Sequence, residues 1–157
     1  CPSCTYVTSK FGMREHPLFG DERPHTGIDI GAQAGAEVIA ADSGTVAVAT
    51  YSSSYGNYVT IYHSNGDYTL YAHMSSLTVT AGQNVTQGDV IGYVGSTGWA
   101  TGPHLHFEIR VYGSTVDMPK NACRNLPNPF FMLSSRPQGN ARICRCTGGL
   151  IRAARAY

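Results

Sequence analysis

The chain has 157 residues, of which 42% are hydrophobic and 13% charged, which suits a single domain with its own core. It contains no apolar run of the roughly 18 residues that a membrane span needs, and its start lacks the basic and apolar stretches of an export signal. We therefore expect neither a membrane span nor an export signal in this sequence. The net charge of +1 gives no reason to expect a nucleic-acid partner, although all ten acidic residues lie at or before Asp117 and the C-terminal end is basic.

Five cysteines lie in two groups, with Cys1 and Cys4 near the start and Cys123, Cys144 and Cys146 near the end. In a secreted chain this distribution predicts disulfide bonds that tie the termini to the domain, with one thiol left over because the count is odd. We expect at least one bond between the two groups. A structural zinc site made of "CPSC" and "CRC" is the alternative, although C-x-C matches such sites less well than a second C-x-x-C.

Short segments rich in Val, Ile, Thr and Tyr recur between glycines and predict strands at residues 45–51, 57–63, 67–73, 89–95 and 104–112. Asn65-Gly66 tolerates positive φ angles and predicts a hairpin, so the second and third of these strands should be antiparallel neighbours. Helical periodicity is absent until the last ten residues, "GGLIRAARAY". The sequence therefore predicts an all-β fold.

The segment "HLHFEIRV" at residues 104–111 alternates strictly between polar and apolar side chains. One face of the strand carries His104, His106, Glu108 and Arg110, and the residues between them should form the core face. Two histidines on one face are about 6 to 7 Å apart at the backbone, so both rings could converge on one point. The spacing alone leaves open whether both bind a metal, and for this strand taken by itself an exposed, wet polar face is the simplest expectation.

The segment "RPHTGIDI" places His25 and Asp29 four residues apart around Gly27. On a straight strand their side chains would lie about 13 Å apart, too far for one metal ion, so they meet only if the chain bends at the glycine. Together with a histidine of "HLH" they would provide two nitrogen ligands and one carboxylate oxygen. Such a set makes an open zinc site with a coordination position left for water.

Three segments in this order resemble the lysostaphin-like zinc peptidases of the M23 family, also called LytM-type peptidoglycan endopeptidases. They are "SKFGMREHPLFGDERPHTGIDI", with the H-x-x-x-D pair of the family, "YAHMSS", with its middle histidine, and "GPHLHFEIR", with its H-x-H strand. The resemblance covers about residues 5–112. It implies an antiparallel β-sheet core with long loops around an open groove.

Carried over residue by residue, the resemblance makes His25, Asp29 and His106 the ligands of one zinc ion per chain. It makes His73 and His104 the catalytic pair. Zinc lowers the pKa of a bound water to about 7, and a neutral imidazole such as His104 could accept its proton. The second imidazole could stabilise the tetrahedral intermediate, but the sequence leaves open which histidine has which role.

Four other residues have simpler interpretations. His16 lies beside a proline in a predicted loop, and His63 ends a strand, so we expect both to be structural or surface residues. Glu108 should support a ligand or the fold rather than act as a general base, because the resemblance gives proton transfer to histidines. Trp99, in the loop "STGWAT", is either a wall of the cleft or a cover on the core edge.

The segment "SSRPQGNAR" at residues 134–142 contains Pro, Gly and polar residues and no strand pattern. It predicts a boundary near Leu133, with an M23-like peptidase domain at residues 1–133 and a basic, cysteine-containing tail at 134–157. The resemblance implies a zinc-dependent endopeptidase that cleaves the peptide part of bacterial peptidoglycan. The opening "FGMREHPLFGDERPH" resembles the cross-link endopeptidases of the family more than its lysostaphin branch, which favours the D-alanyl cross-link over a glycyl-glycine bridge. The protein would act in the bacterial cell envelope, as a periplasmic or secreted enzyme, in a larger envelope, secretion or conjugation apparatus, or on a phage particle.

A catalytically inactive member of the same fold, which binds peptidoglycan or serves as an envelope scaffold, is the alternative from another class. Such members have typically lost metal ligands, whereas all five motif residues are present in this chain.

Overall fold

The computed structural model describes residues 6–15, 20, 22–117 and 133–134. Within these ranges the chain forms thirteen strands and no helix. The strands are β1 (Tyr6–Ser9), β2 (Gly12–Glu15), β3 (Glu22–His25), β4 (Ile28–Gly31), β5 (Glu37–Ile39), β6 (Gly44–Ser52), β7 (Gly56–His63), β8 (Tyr68–Leu77), β9 (Asn84–Val85), β10 (Val90–Val94), β11 (His104–Val111), β12 (Ser114–Val116) and β13 (Leu133–Ser134). The all-β prediction is confirmed, and the described part of the chain has no helix that could cross a membrane.

The five predicted strands correspond to β6, β7, β8, β10 and β11. The largest difference is in β8, which continues to Leu77 because it pairs with two different strands in turn. The other eight strands have at most four residues each. Segments this short hold too few strand-forming residues to stand out in the sequence.

Eleven strands of the described chain form one sheet, in which every pairing is antiparallel, and β2 and β3 form a separate two-stranded ribbon. Strand β8 is central. Strand β7 pairs with one edge of β8. The other edge pairs first with β11, up to Ala72, and then with β10, from Met74 to Leu77. Strand β4 pairs with the far edge of β11. This order places β4, β11 and β8 side by side.

The predicted hairpin joins β7 to β8. Gly66 has a φ of 89°, in the left-handed region that asparagine and glycine tolerate best. The backbone N–H of His63 donates to the carbonyl of Asp67 at 2.9 Å, and the side-chain oxygen of Asn65 accepts from the Asp67 N–H at 3.0 Å. The turn residues thus set the register of this hairpin, as the sequence indicated.

One face of β4 and β11 packs into the hydrophobic core. Ile28 and Ile30 of β4 and Leu105 and Phe107 of β11 are all buried there. The core also contains Val38, Ala40, Ala41, Val46, Val59, Ile61, Tyr71, Met74, Val79, Val85, Ile91 and Val94. Because strand side chains alternate, the residues between these apolar ones must point to the opposite face of the sheet.

Several predictions concern residues outside the described ranges: the five cysteines, His16 and the possible helix at residues 148–157. Strand β13 pairs with β5, which brings Leu133 and Ser134 to the sheet. The division into a domain at residues 1–133 and a tail at 134–157 stays a prediction.

Candidate metal centre and active site

The register between β4 and β11 places Asp29 directly opposite His106. Both residues lie between core positions of their strands, so their side chains share the face of the sheet that points away from the core. Oδ1 of Asp29 is 2.9 Å from Nδ1 of His106. Two residues 77 positions apart in the chain therefore meet because two strands pair in one register.

His25 reaches the same point through a bend in the chain at Thr26 and Gly27, between β3 and β4. A Cβ atom on Gly27 would lie 2.2 Å from the carbonyl oxygen of Phe107, so only glycine allows this close approach to β11. The bend brings Nε2 of His25 to 3.0 Å from Oδ1 of Asp29 and 3.1 Å from Nδ1 of His106. The predicted bend at Gly27 is thus present.

The three donor atoms form a nearly equilateral triangle, with sides of 2.9, 3.0 and 3.1 Å. A tetrahedral zinc ion with ligands at about 2.0 to 2.1 Å has donor atoms about 3.4 Å apart, so a small expansion would suffice to fit the ion. All three residues are buried, and they form a group that could hold a metal ion. Three protein ligands leave the fourth position of the tetrahedron open.

The outer nitrogen of each ligand histidine has a hydrogen-bond partner. Nδ1 of His25 donates to the carbonyl of Lys10 at 2.7 Å, and Nε2 of His106 donates to Oε1 of Glu108 at 3.1 Å. In the neutral rings, the lone pairs are then on the nitrogens that face Asp29. Three lone pairs converge, and a positive charge at their centre stabilises them.

The electrostatics of this cluster favour a cation. Burial raises the pKa of Asp29, but hydrogen bonds with His106 and His25 outweigh it and lower the pKa far below its usual value. Burial lowers the pKa of His106, but Asp29 and Glu108 outweigh it and raise the pKa. Both shifts have one cause, because an ionised carboxylate stabilises positive charge beside it, whether on a protonated ring or on a metal cation. The residues present therefore fit a divalent metal ion.

His104 and His73 lie beside this cluster. Nε2 of His104 is 3.7 Å from Oδ1 of Asp29, and Nδ1 of His104 donates to the carbonyl of Gly102 at 2.8 Å. The ring centroids of His73 and His104 are 4.8 Å apart. The structure therefore brings all five site residues of the sequence analysis together.

His73 occupies an irregular position in β8. Ala72 pairs with β11 and Met74 with β10, so His73 stands where β8 passes from one partner strand to the next. Its φ is 63°, which is strained for a residue with a side chain, and its N–H donates to the carbonyl of Tyr55 at 2.8 Å. This bulge turns the imidazole toward His104.

The ring of His73 is held by a second hydrogen bond, from Nδ1 to the carbonyl of Thr97 at 2.8 Å. Burial lowers the pKa of His73 to about 4, against the opposing effect of this hydrogen bond. The ring is therefore neutral at physiological pH. With the proton on Nδ1, Nε2 is the atom that can accept another.

The polar face of β11 differs from the expected wet surface, since both His106 and Glu108 are buried. The side chain of Glu108 is fully covered and accepts hydrogen bonds from Thr26, Tyr55, His106 and Arg110. Burial raises the pKa of Glu108, but the hydrogen bonds from His106, Thr26 and Arg110 outweigh it and lower the pKa to about 2. Glu108 therefore supports the cluster, as expected.

Sequence reasoning did not find Thr26, Tyr55 and Arg110 as parts of the site. The alternating pattern of β11 already placed Arg110 on the same face as Glu108, which was a usable signal. Thr26 and Tyr55 carried no such signal, because they reach Glu108 only through tertiary contacts across 82 and 53 positions of the chain.

His63 and Trp99 lie elsewhere in the fold. His63 is buried, with Nδ1 donating to the carbonyl of Ser43 at 2.9 Å and Nε2 at 2.8 Å from the hydroxyl of Thr69, which confirms its structural role. Trp99 is half-exposed in the loop after β10, and its backbone N–H donates to the carbonyl of Ser54 at 2.9 Å. Its exposure is compatible with a wall of the cleft, and a substrate contact stays a prediction.

The fold and the site define an all-β protein with a candidate metal centre of two histidines and one aspartate, flanked by two further histidines. Residues 23–118 match the model of peptidase family M23, and the chain belongs to this family. The resemblance stated from the three segments is confirmed.

Similar proteins share this core. The chain is 46% identical over 125 residues to the DD-carboxypeptidase/endopeptidase Mpg of Neisseria meningitidis serogroup B. This alignment covers 80% of this chain and 28% of that protein. A zinc-containing peptidase from Vibrio cholerae aligns with a TM-score of 0.66 and 40% identity over 71% of this chain and 35% of its own. The catalytic domain of lysostaphin from Staphylococcus simulans aligns with a TM-score of 0.65 and 30% identity over 72% of this chain and 88% of its own. The chain thus spans less than a third of the curated relative.

Proposed function

We propose that this chain is a zinc-dependent endopeptidase that hydrolyses amide bonds in the peptide stems or cross-links of bacterial peptidoglycan. His25, Asp29 and His106 would bind one zinc ion per chain, and His73 and His104 would be the catalytic residues. The observation that carries the proposal is the convergence of three donor atoms within 3.1 Å of one another beside a pair of histidines. Membership of family M23 and the zinc-containing relative support the choice of metal.

When bound, zinc would supply Lewis-acid chemistry, which polarises a carbonyl group and lowers the pKa of a water molecule so that it can lose a proton and attack. The remaining chemistry falls to the two histidines. Each has its Nδ1 proton committed to a backbone carbonyl, of Gly102 for His104 and of Thr97 for His73. Nε2 is therefore the atom of each ring that can accept a proton.

A ring that has taken the proton of the attacking water becomes a hydrogen-bond donor at the same atom. It can then stabilise the negative oxygen of the tetrahedral intermediate or deliver the proton to the leaving amine nitrogen. His104 is the better candidate for the first transfer, since its Nε2 lies 3.7 Å from Asp29 Oδ1 and hence beside the proposed metal position. His73, whose ring centroid is 4.8 Å from that of His104, would stabilise the developing negative charge once its Nε2 carries a proton.

For the bond cleaved, we propose the D-alanyl cross-link. The 46% identity to a protein named DD-carboxypeptidase/endopeptidase exceeds the 30% identity to lysostaphin, and the opening segment favours the same choice. Cleavage of a glycyl-glycine bridge is the alternative. An inactive scaffold is disfavoured, because the five residues proposed as zinc ligands and catalytic groups are all present and lie together.

The place of action follows from the substrate. Peptidoglycan lies in the bacterial envelope, so the protein would be periplasmic or secreted, by itself or within a larger envelope, secretion, conjugation or phage assembly. An oxidising compartment of this kind is also where the proposed disulfide bonds between the cysteine groups would form.

The decisive test is hydrolysis of defined cross-linked muropeptides by the purified chain, with and without a chelator. We expect products whose masses identify the D-alanyl cross-link, loss of activity on chelation, and recovery when zinc is added back. Cleavage at glycine bridges would select the alternative substrate. Folded, zinc-loaded protein that binds peptidoglycan without cleaving any bond would show that the chain is a binding member of the family.

A further inference from the structure

Glu108 lies at the centre of β11 with no exposed side-chain surface and four different residues as hydrogen-bond donors. A buried carboxylate is costly unless it is paired and fully hydrogen-bonded. The arrangement of its partners therefore indicates what the chain gains from keeping it.

One of its oxygens, Oε1, collects three of the four donors. It accepts from the hydroxyl of Thr26 at 2.5 Å, from the hydroxyl of Tyr55 at 2.8 Å and from Nε2 of His106 at 3.1 Å. Thr26 directly follows His25 in the chain. The backbone carbonyl of Tyr55 accepts the N–H of the strained His73 at 2.8 Å. A single oxygen thus connects the segments that carry two proposed ligands and one catalytic histidine.

The other oxygen, Oε2, binds the guanidinium group of Arg110, with Nε at 2.8 Å and Nη2 at 2.7 Å. This two-point contact balances the charge of the carboxylate in its buried position. It also fixes the plane of the carboxyl group, which directs Oε1 toward the other three donors.

Glu108 contacts His106 at Nε2, whereas the nitrogen that faces Asp29 is Nδ1. The carboxylate therefore lies at the ring edge away from the metal position, and both of its oxygens are occupied by donors. This position excludes direct proton transfer to substrate. It suits control of the ring, because a proton held on Nε2 leaves the lone pair on Nδ1.

Resting on the proposed zinc site, we infer that Glu108 is a positioning residue that holds His106 with Nδ1 toward the ion and ties the His25 and His73 segments to it. Such a residue strengthens metal binding without touching the metal. Loss of a partner of this kind typically weakens metal affinity about 10- to 100-fold.

The test measures the zinc dissociation constant of the folded protein by competition with a chelator, in the full chain and in two variants. Glu108→Leu should weaken zinc binding about 10- to 100-fold. Glu108→Gln should retain part of the affinity, because its amide carbonyl can still accept from His106, and lose the rest, because its NH2 group cannot accept from Arg110. If Glu108→Leu does not fold, the zinc affinity of Glu108→Gln decides the question. An affinity weakened at least about threefold supports the inference, and an unchanged affinity overturns it.

Asp89→Asn is the matched control. It removes one carboxylate charge from an exposed turn and keeps an acceptor for the Thr86 N–H, which lies 2.7 Å from Asp89 Oδ2. Its zinc affinity should equal that of the unmodified chain. The unfolding free energy of each metal-free variant is measured in parallel, because a merely structural role would lower that quantity and leave the zinc dissociation constant of the folded protein unchanged.

A third measurement is the NMR signal of the His106 Nε2–H proton in the zinc-loaded protein, which should be protected from exchange in the unmodified chain and lost in Glu108→Leu. Folded Glu108→Leu with a zinc affinity within about twofold of the unmodified chain would overturn the inference alone. An unmodified chain that binds no zinc would overturn the proposed metal site and, with it, the inference.

Discussion

The two histidines of "HLH" should fail in different ways when each is replaced by alanine. His106→Ala removes Nδ1, which lies 2.9 Å from Asp29 Oδ1 and 3.1 Å from His25 Nε2. Two protein ligands then remain, which is too few for tight zinc binding. The substitution also takes one donor from the buried Glu108. We therefore expect His106→Ala to lose zinc and activity together.

His104→Ala should keep zinc and lose activity. His104 is outside the triangle of donor atoms, and its closest atom to Asp29 Oδ1 is Nε2 at 3.7 Å. Removing a general acid or base leaves the ligands in place and typically costs about a hundredfold to ten-thousandfold in rate, or about 3 to 5 kcal/mol in the activation barrier.

The assay compares zinc content with turnover on peptidoglycan for both variants, and circular dichroism separates ligand loss from unfolding. If His104→Ala emptied the site while His106→Ala stayed loaded, the assignment within "HLH" would be reversed. If both variants stayed loaded and active, the metallopeptidase mechanism itself would be wrong.

Three further predictions concern the bend, the core and the termini. Gly27→Ala should destabilise the metal-free protein by about 1 to 3 kcal/mol and displace His25, because the added methyl group collides with the backbone of Phe107. Thermal unfolding measures the loss, and Gly102→Ala is the control, because a Cβ atom at Gly102 has no heavy atom within 4 Å. Burial raises the pKa of Tyr71 to about 12, so as the pH rises the unfolded chain loses the phenol proton before the folded protein does. The unfolding free energy measured in urea should therefore fall between pH 10 and pH 12, and it should fall less steeply in Tyr71→Phe. Non-reducing peptide mapping of protein made in an oxidising compartment should find a disulfide between the two cysteine groups, and free thiols throughout would contradict it.

Much of the fold was predictable because it depends on residues close together in the chain. Segments rich in Val, Ile, Thr and Tyr between glycines located β6, β7, β8, β10 and β11, and Asn65-Gly66 determined the hairpin. The short strands β4 and β5 were not predicted. They pair with the edges of the longer strands β11 and β10, and a local pattern does not record such edges.

The sequence alone supplied the chemistry of the candidate site: the residue types, the spacing of His104 and His106, and the need for a bend between His25 and Asp29. Only the tertiary structure decided that these groups meet. The register of β4 against β11 sets Asp29 opposite His106, and the change of partner strand along β8 turns His73 toward the site. The hydrogen bond by which Tyr55 supports Glu108 joins residues that are 53 positions apart in the chain. Contacts at such separations depend on how whole strands pair over the core, and no short stretch of sequence contains that information.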